Sequence, residues 1–226
     1  MNAAQIAGAR WHPSPNFGPR RDGQQPRLIV LHYTGMSDCA VALERLCDPK
    51  AEVSAHYLID RDGSLWQMVR DEDRAWHAGA GAWQGQGDVN SRSLGIELVN
   101  NGFEPFPWPQ MRALEQVLAK LIARWRIAPV DVIAHSDMAP ARKEDPGPRF
   151  DWRGLAATGL VVWPEGEGED APFAASLDAL GYPEAEAEKR LQAFRFRFRP
   201  FGAGPESAAD RARAHAVSCG FSKARK

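Results

Sequence analysis

Cysteine is scarce in this chain: three residues of 226, Cys39, Cys47 and Cys219, an odd number with no Cys-x-x-Cys pair. That spacing excludes a disulfide framework and a thiolate redox or zinc motif, and it predicts a reducing compartment. Cys39 and Cys47 fall near one helical face and read as buried thiols. Net charge is scarce as well. A formal value of -1 gives no strongly positive face for a phosphate backbone, so nucleic acid is not expected as a partner. No run approaches the ~18 apolar residues of a membrane span, and the first residues lack the apolar core of a signal peptide, so the sequence as it stands predicts a cytoplasmic protein. Internal repeats are absent too. Against these absences, eight Trp, ten Phe and a 44% hydrophobic content supply a real core. The length suits one domain of roughly 150 residues plus a small second unit.

After a Pro/Gly/Arg-rich arm, Leu28-Ile29-Val30-Leu31 is a short continuous apolar run, the mark of a buried central strand, with His32 at its C-terminal end. Residues 37–46 read as a helix halted at Asp48-Pro49. The segments 56–59 and 65–69 flank Asp62-Gly63 and predict an antiparallel hairpin with a tight turn. Residues 79–87 are glycine-rich loop, and 94–99 resume as a strand carrying Glu97 in its middle. Beyond Pro109, the apolar residues Met111, Leu114, Val117, Leu118, Leu121, Ile122 and Trp125 keep helical spacing. Val132-Ile133-Ala134 is a last short strand that delivers His135. The expected fold is α/β, a mixed central sheet flanked by helices, over residues 1–163. An acidic Gly/Pro linker at 164–172 and a small helical C-terminal domain at 173–226 follow. In the tail, Phe194 and Phe198 favour a helix, while Phe196 and the interleaved arginines have the period of a strand.

A catalytic zinc takes three protein ligands and leaves a position open for water, with imidazole and carboxylate as common donors. His135 and Asp145 stand ten residues apart across a Pro-rich loop that can fold back on one ion, and His32 offers a third ligand from a distant strand. Spacing alone leaves each histidine equally open to a hydrogen-bonded structural role.

Five linked segments carry a resemblance. Leu-His-Tyr-Thr at 31–34, Ser-Ala-His-Tyr-Leu-Ile-Asp-Arg-Asp-Gly at 54–63, Trp-His-Ala-Gly at 76–79, Gly-Ile-Glu-Leu-Val-Asn at 95–100, and Ala-His-Ser-Asp-Met-Ala-Pro with Arg-Lys-Glu-Asp-Pro-Gly-Pro at 134–148 resemble the amidase-2 family of N-acetylmuramoyl-L-alanine amidases. The resemblance spans about residues 10–164. It implies Zn2+ held by His32, His135 and Asp145, Glu97 as general base, and Lys143 as a fixed cation for the oxyanion. It also implies a muropeptide or peptidoglycan substrate in wall recycling, with Trp76, His77 and His56 along its groove. For His56 a purely hydrogen-bonding role is an equal reading. The phage-lysozyme branch carries a Tyr before this His where Ala55 stands here, which shifts proton transfer onto Glu97. A noncatalytic recognition module on the same fold, and an exported amidase acting on intact wall, are the alternatives. Residues 191–200 resemble the central helix of a small peptidoglycan-binding domain, and the tail's ten Lys/Arg against six Asp/Glu make it net positive.

Overall fold

The computed structural model describes residues 4–166 and 168–225. Met1–Ala3, Glu167 and Lys226, which the expected unit limits include, lie outside the described residues. The strands are β1 (Arg10–Trp11), β2 (Phe17–Pro19), β3 (Leu28–Tyr33), β4 (Tyr57–Ile59), β5 (Leu65–Gln67), β6 (Asp73–Ala75), β7 (Ser93–Leu98) and β8 (Val132–Ala134). Interspersed are the helices α1 (Cys39–Cys47), α2 (Val89–Arg92), α3 (Trp108–Trp125), α4 (His135–Met138), α5 (Trp152–Ala157), α6 (Phe173–Leu180), α7 (Ala187–Phe198) and α8 (Ala208–Ala224). Six strands form one sheet in the order β1-β5-β4-β7-β3-β8, and β2 pairs with β6 apart from it. β3 runs parallel to both β7 and β8, β7 parallel to β4, and β4 antiparallel to β5, so the sheet is mixed as its sequence implies.

β3 is buried on both faces because alternate residues feed two different cores. Ile29 and Leu31 join Leu94, Ile96 and Leu98 of β7 beneath Leu114, Val117, Leu118 and Leu121 of α3. On the opposite face Leu28 and Val30 join Ile133, and this face meets the C-terminal helices through Phe173, Leu177, Phe194 and Phe198. The molecule is therefore layered: α3, sheet, then α6–α8. No helix or strand occurs among the described residues of 164–172, yet the helices beyond it do not stand off. Their apolar side chains belong to the same cluster as the sheet's second face.

Two local differences from the sequence reading have simple causes. The β4–β5 connection is a five-residue loop, Asp60 to Ser64, with only Gly63 at positive φ (88°). Asp62 instead turns its Oδ1 back to accept from the Ser64 N–H at 2.7 Å, the Asx arrangement that competes with a two-residue turn. In α7 the alternating Phe and Arg residues lie on a helix. Phe194 and Phe198 go to the core, and the buried arginines find carboxylates, Arg195 on Asp210 at 2.6 Å and Arg197 on Asp137 at 2.6 Å. Pairing offsets much of the desolvation cost of turning those arginines inward, although Arg197 Nε stays without a partner.

His56 is fully buried. Its Nδ1 accepts from the Gly95 N–H at 3.0 Å, which leaves the proton on Nε2 to donate to the Asp73 carbonyl at 3.1 Å. The ring thus ties the β4 edge to β7 and β6, and it corrects the groove expectation: both nitrogens are spent inside the fold. Burial, then the charge of Arg20, push its pKa down to about 3. The unfolded imidazole gains its proton near pH 6.5, so the stability His56 contributes is complete above that value and is lost as pH falls from about 6.5 toward 3. His56→Gln should cost about 1–2 kcal/mol at pH 7. It should also flatten the fall of melting temperature between pH 6.5 and 4, a change read from thermal melts across that range.

Candidate metal centre

The site grows from the C-terminal ends of two parallel strands, the usual place for a ligand on an open α/β sheet. His32 of β3 is in register with Glu97 of β7, so the two side chains rise from the same face one strand apart. On that face β7 shows Ser93, Gly95 and Glu97, while Leu94, Ile96 and Leu98 go to the core. β8 passes directly into α4, and His135 is the first residue of that turn. Asp145 returns on the following loop, whose backbone is pinned by the Ser136 N–H donating to the Asp145 carbonyl at 3.0 Å.

The structure brings together the three residues expected as ligands. His32 Nδ1 and His135 Nδ1 lie 2.9 Å apart, and each is 2.9 Å from Asp145 Oδ2. All three residues are buried. The outer hydrogen bonds decide where the ring protons sit. His135 Nε2 faces the Ala78 carbonyl at 3.0 Å and must donate to it, so the neutral ring has a bare Nδ1. For His32 the logic runs through two more residues. The Ser93 hydroxyl donates to the Val89 carbonyl at 2.5 Å and so accepts from His77 Nε2 at 3.1 Å. His77 Nδ1 is then an acceptor, and His32 Nε2 donates to it at 3.0 Å. Nδ1 of His32 is left as a lone pair.

Two imidazole lone pairs and a carboxylate oxygen at these distances repel one another unless a cation lies among them. Two nitrogen donors and one oxygen suit a borderline divalent ion, so the residues present fit a metal. Burial, then the neighbouring His135, lower the His32 pKa to about 4. Burial, then His32, hold His77 well below the ordinary value, which keeps the relay neutral. Burial alone would raise Asp145, but His135 and His32 hold its carboxyl well below the usual carboxylate range.

Beside the three ligands a cleft of about 500 Å³ opens, lined by Glu97, Lys143, Trp76 and His77 among others. Glu97 Oε2 is buried there with no hydrogen-bond partner. Burial, then the charge of Asp145, push Glu97 up to about 8, against the pull of Lys143. Trp76 is half-buried on the wall, and His77 is 8% exposed with both ring nitrogens engaged. His56 is not among the residues that line the cleft. Sequence reasoning missed Ser93 and Asn90, whose Oδ1 accepts from the N–H groups of His77 and Ala78 at 3.1 and 2.8 Å. It also missed the need for Gly95, where a Cβ would sit 2.4 Å from the His77 ring. The signal was present: a strand with Ser, Gly and Glu on one face and Leu, Ile, Leu on the other marks the face that does chemistry.

The family model described as N-acetylmuramoyl-L-alanine amidase matches residues 22–148. N-acetylmuramoyl-L-alanine amidase AmiD of Escherichia coli is 40% identical over 62% of this chain and 56% of its own length. The 1,6-anhydro-N-acetylmuramyl-L-alanine amidase AmpD of Citrobacter freundii is 35% identical over 67% of this chain and 90% of its own. The structure of E. coli AmiD in complex with the substrate anhydro-N-acetylmuramic acid-L-Ala-D-gamma-Glu-L-Lys superimposes with a TM-score of 0.76 at 32% identity, covering 95% of this chain and 91% of that one. AMPDH3 of Pseudomonas aeruginosa, in complex with anhydromuramic pentapeptide, gives 0.78 at 28% identity over 96% and 97%.

The metal-free protein should take up one equivalent of a divalent cation by calorimetric titration, and His32→Ala should abolish that uptake. Ser93→Ala frees the His77 ring to reverse its tautomer and should weaken the metal about 10-fold, the usual range for outer partners of a ligand histidine.

Proposed function

This chain belongs to the amidase-2 family of N-acetylmuramoyl-L-alanine amidases, and on that footing we propose that it hydrolyses the amide bond between N-acetylmuramic acid, the 1,6-anhydro form included, and L-alanine of peptidoglycan fragments in cell-wall recycling. Residues 1–163 carry the reaction, with Zn2+ on His32, His135 and Asp145. The observation that carries this reading is the unpartnered carboxylate of Glu97 beside three converging metal-ligand atoms. The AmiD and AmpD likenesses support the substrate class.

When bound at such a site, zinc supplies Lewis acidity and an acidified water. The chain's own residues do the rest. Glu97, in register with His32, accepts the proton of the attacking water on its free Oε2. Burial makes the Glu97 carboxylate more basic than an exposed one, which suits it to take that proton and, once protonated, to give it to the leaving alanine nitrogen. Lys143, half-buried at the cleft, balances the negative charge that develops on the former carbonyl oxygen. Trp76 offers an aromatic wall for the sugar or peptide. His77 serves the ligand His32 first and borders the substrate second. Among the described residues, no helix is long and apolar enough to cross a membrane. We place the reaction in the cytoplasm, a reading supported by Cys39, Cys47 and Cys219 being free thiols.

Glu97→Gln keeps the ligand set and removes the base. Turnover of an anhydro-muramyl peptide should fall about 10²–10⁴-fold with zinc still bound at one equivalent. A mere recognition module would be indifferent to the change. Mass spectrometry should find free peptide beginning at L-alanine, whereas cuts within the stem peptide point to an endopeptidase. Faster release from intact sacculi than from anhydro-muropeptide, or activity confined to an exported cell fraction, overturns the recycling assignment.

A further inference from the structure

Two of the three metal ligands hang on one corner of the chain. His135 opens α4, and the N–H of the next residue, Ser136, holds the Asp145 loop by its carbonyl. The shape of that corner rests on Asp137, which is fully buried. Asp137 Oδ2 accepts from the Ala134 N–H at 2.9 Å and so closes the turn on which His135 stands. That is its one local partner. Its other partners come from the C-terminal helices and the segment between them: Arg197 Nη1 of α7 donates to Oδ2 at 2.6 Å, and the Tyr182 hydroxyl, just past α6, donates to Oδ1.

Arg197 is itself 2% exposed. Its Nη2 donates to the Val132 carbonyl of β8 at 3.1 Å, so one guanidinium grips the strand that leads into the corner and the carboxylate that closes it. The group lies over the Trp152 ring, 4.1 Å from its centroid, and beside Phe198 and Phe221. Tyr182 is held edge-on to Trp83 at 5.3 Å. A buried carboxylate whose neutralising charge is removed is left uncompensated, and its surroundings relax.

We propose that the C-terminal helices act as a brace of the metal centre, with Arg197 and Tyr182 as positioning residues that act through Asp137 on His135 and Asp145. On this inference the tail is part of the catalytic machinery's scaffold, which goes beyond the wall-binding role its sequence resemblance implies. The inference rests on the metal-centre reading above.

The test uses the full chain and two readouts: the zinc dissociation constant from chelator competition, and the visible absorption of the cobalt(II)-substituted protein, whose bands report ligand geometry. Arg197→Met should weaken zinc about 10-fold or more and shift the cobalt bands. Arg197→Lys should restore part of both. Tyr182→Phe, which removes one hydroxyl and keeps the ring, should weaken zinc several-fold. Phe201→Ala, on a side chain 95% exposed in the same unit, should leave both readouts alone. Wild-type constants and spectra in both Arg197→Met and Tyr182→Phe overturn the brace. If Arg197→Met does not fold, Tyr182→Phe decides by the same two readouts. A wild-type chain that binds no zinc overturns the metal-centre reading and the brace with it, an outcome distinct from tight binding that the variants fail to move.

Discussion

The mutual approach of His32 Nδ1, His135 Nδ1 and Asp145 Oδ2 to 2.9 Å is the constraint around which the structure is organised. Three electron-pair donors do not gather at that distance by their own attraction. Each has to be pushed there by something outside the triangle. For His32 the push is the relay through His77 and Ser93 to the Val89 carbonyl; for His135 it is the Ala78 carbonyl; for Asp145 it is the backbone bond from Ser136. Each of these three supports ends on main chain, at the Val89 carbonyl, the Ala78 carbonyl and the Ser136 N–H, so the donor geometry is inherited from the fold itself. A preorganised site of this kind binds its ion without having to order the ligands at the moment of binding.

The division of labour across the sheet follows from the alternation of β3 and β7. Their core-facing residues meet α3, and their other face is shared along its length. At the N-terminal end it is covered by the C-terminal helices through Leu28 and Val30. At the C-terminal end it is left open as the cleft, where His32 and Glu97 stand. One face therefore supplies both anchorage and chemistry. Glu97 can be kept unpartnered in a buried position because the apolar packing on either side, and not its own bonds, holds its strand in place.

Much of this was legible in the sequence, and the reasons can be named. The run from Leu28 to Leu31 and the helical spacing from Met111 to Trp125 are local patterns, and each became the element its pattern implied. The ligand set came through the resemblance of linked segments, because strand ends 103 residues apart in sequence share no local signal. What stayed hidden depends on partners distant along the chain. His56 reads equally as a groove residue or a hydrogen-bonded one until the Gly95 N–H and Asp73 carbonyl are seen to take both nitrogens. The arginines of α7 keep the period of a strand until Asp137, 60 residues upstream, and Asp210 come to meet them on a helix. A helix whose charged residues point inward defeats any periodicity argument, because the pattern is completed by a carboxylate elsewhere.

The grip of Arg197 on the Val132 carbonyl has a second meaning at the border of the sheet. β8 is an edge strand of three residues, and its first carbonyl is held by that guanidinium. The opposite edge, β1, is two residues long. A sheet bounded by strands this short, one of them already capped by a side chain, offers no template on which another extended chain can zip up. The residue that steadies the inside of the molecule thus also occupies one border of its main sheet, where another extended chain would have to pair.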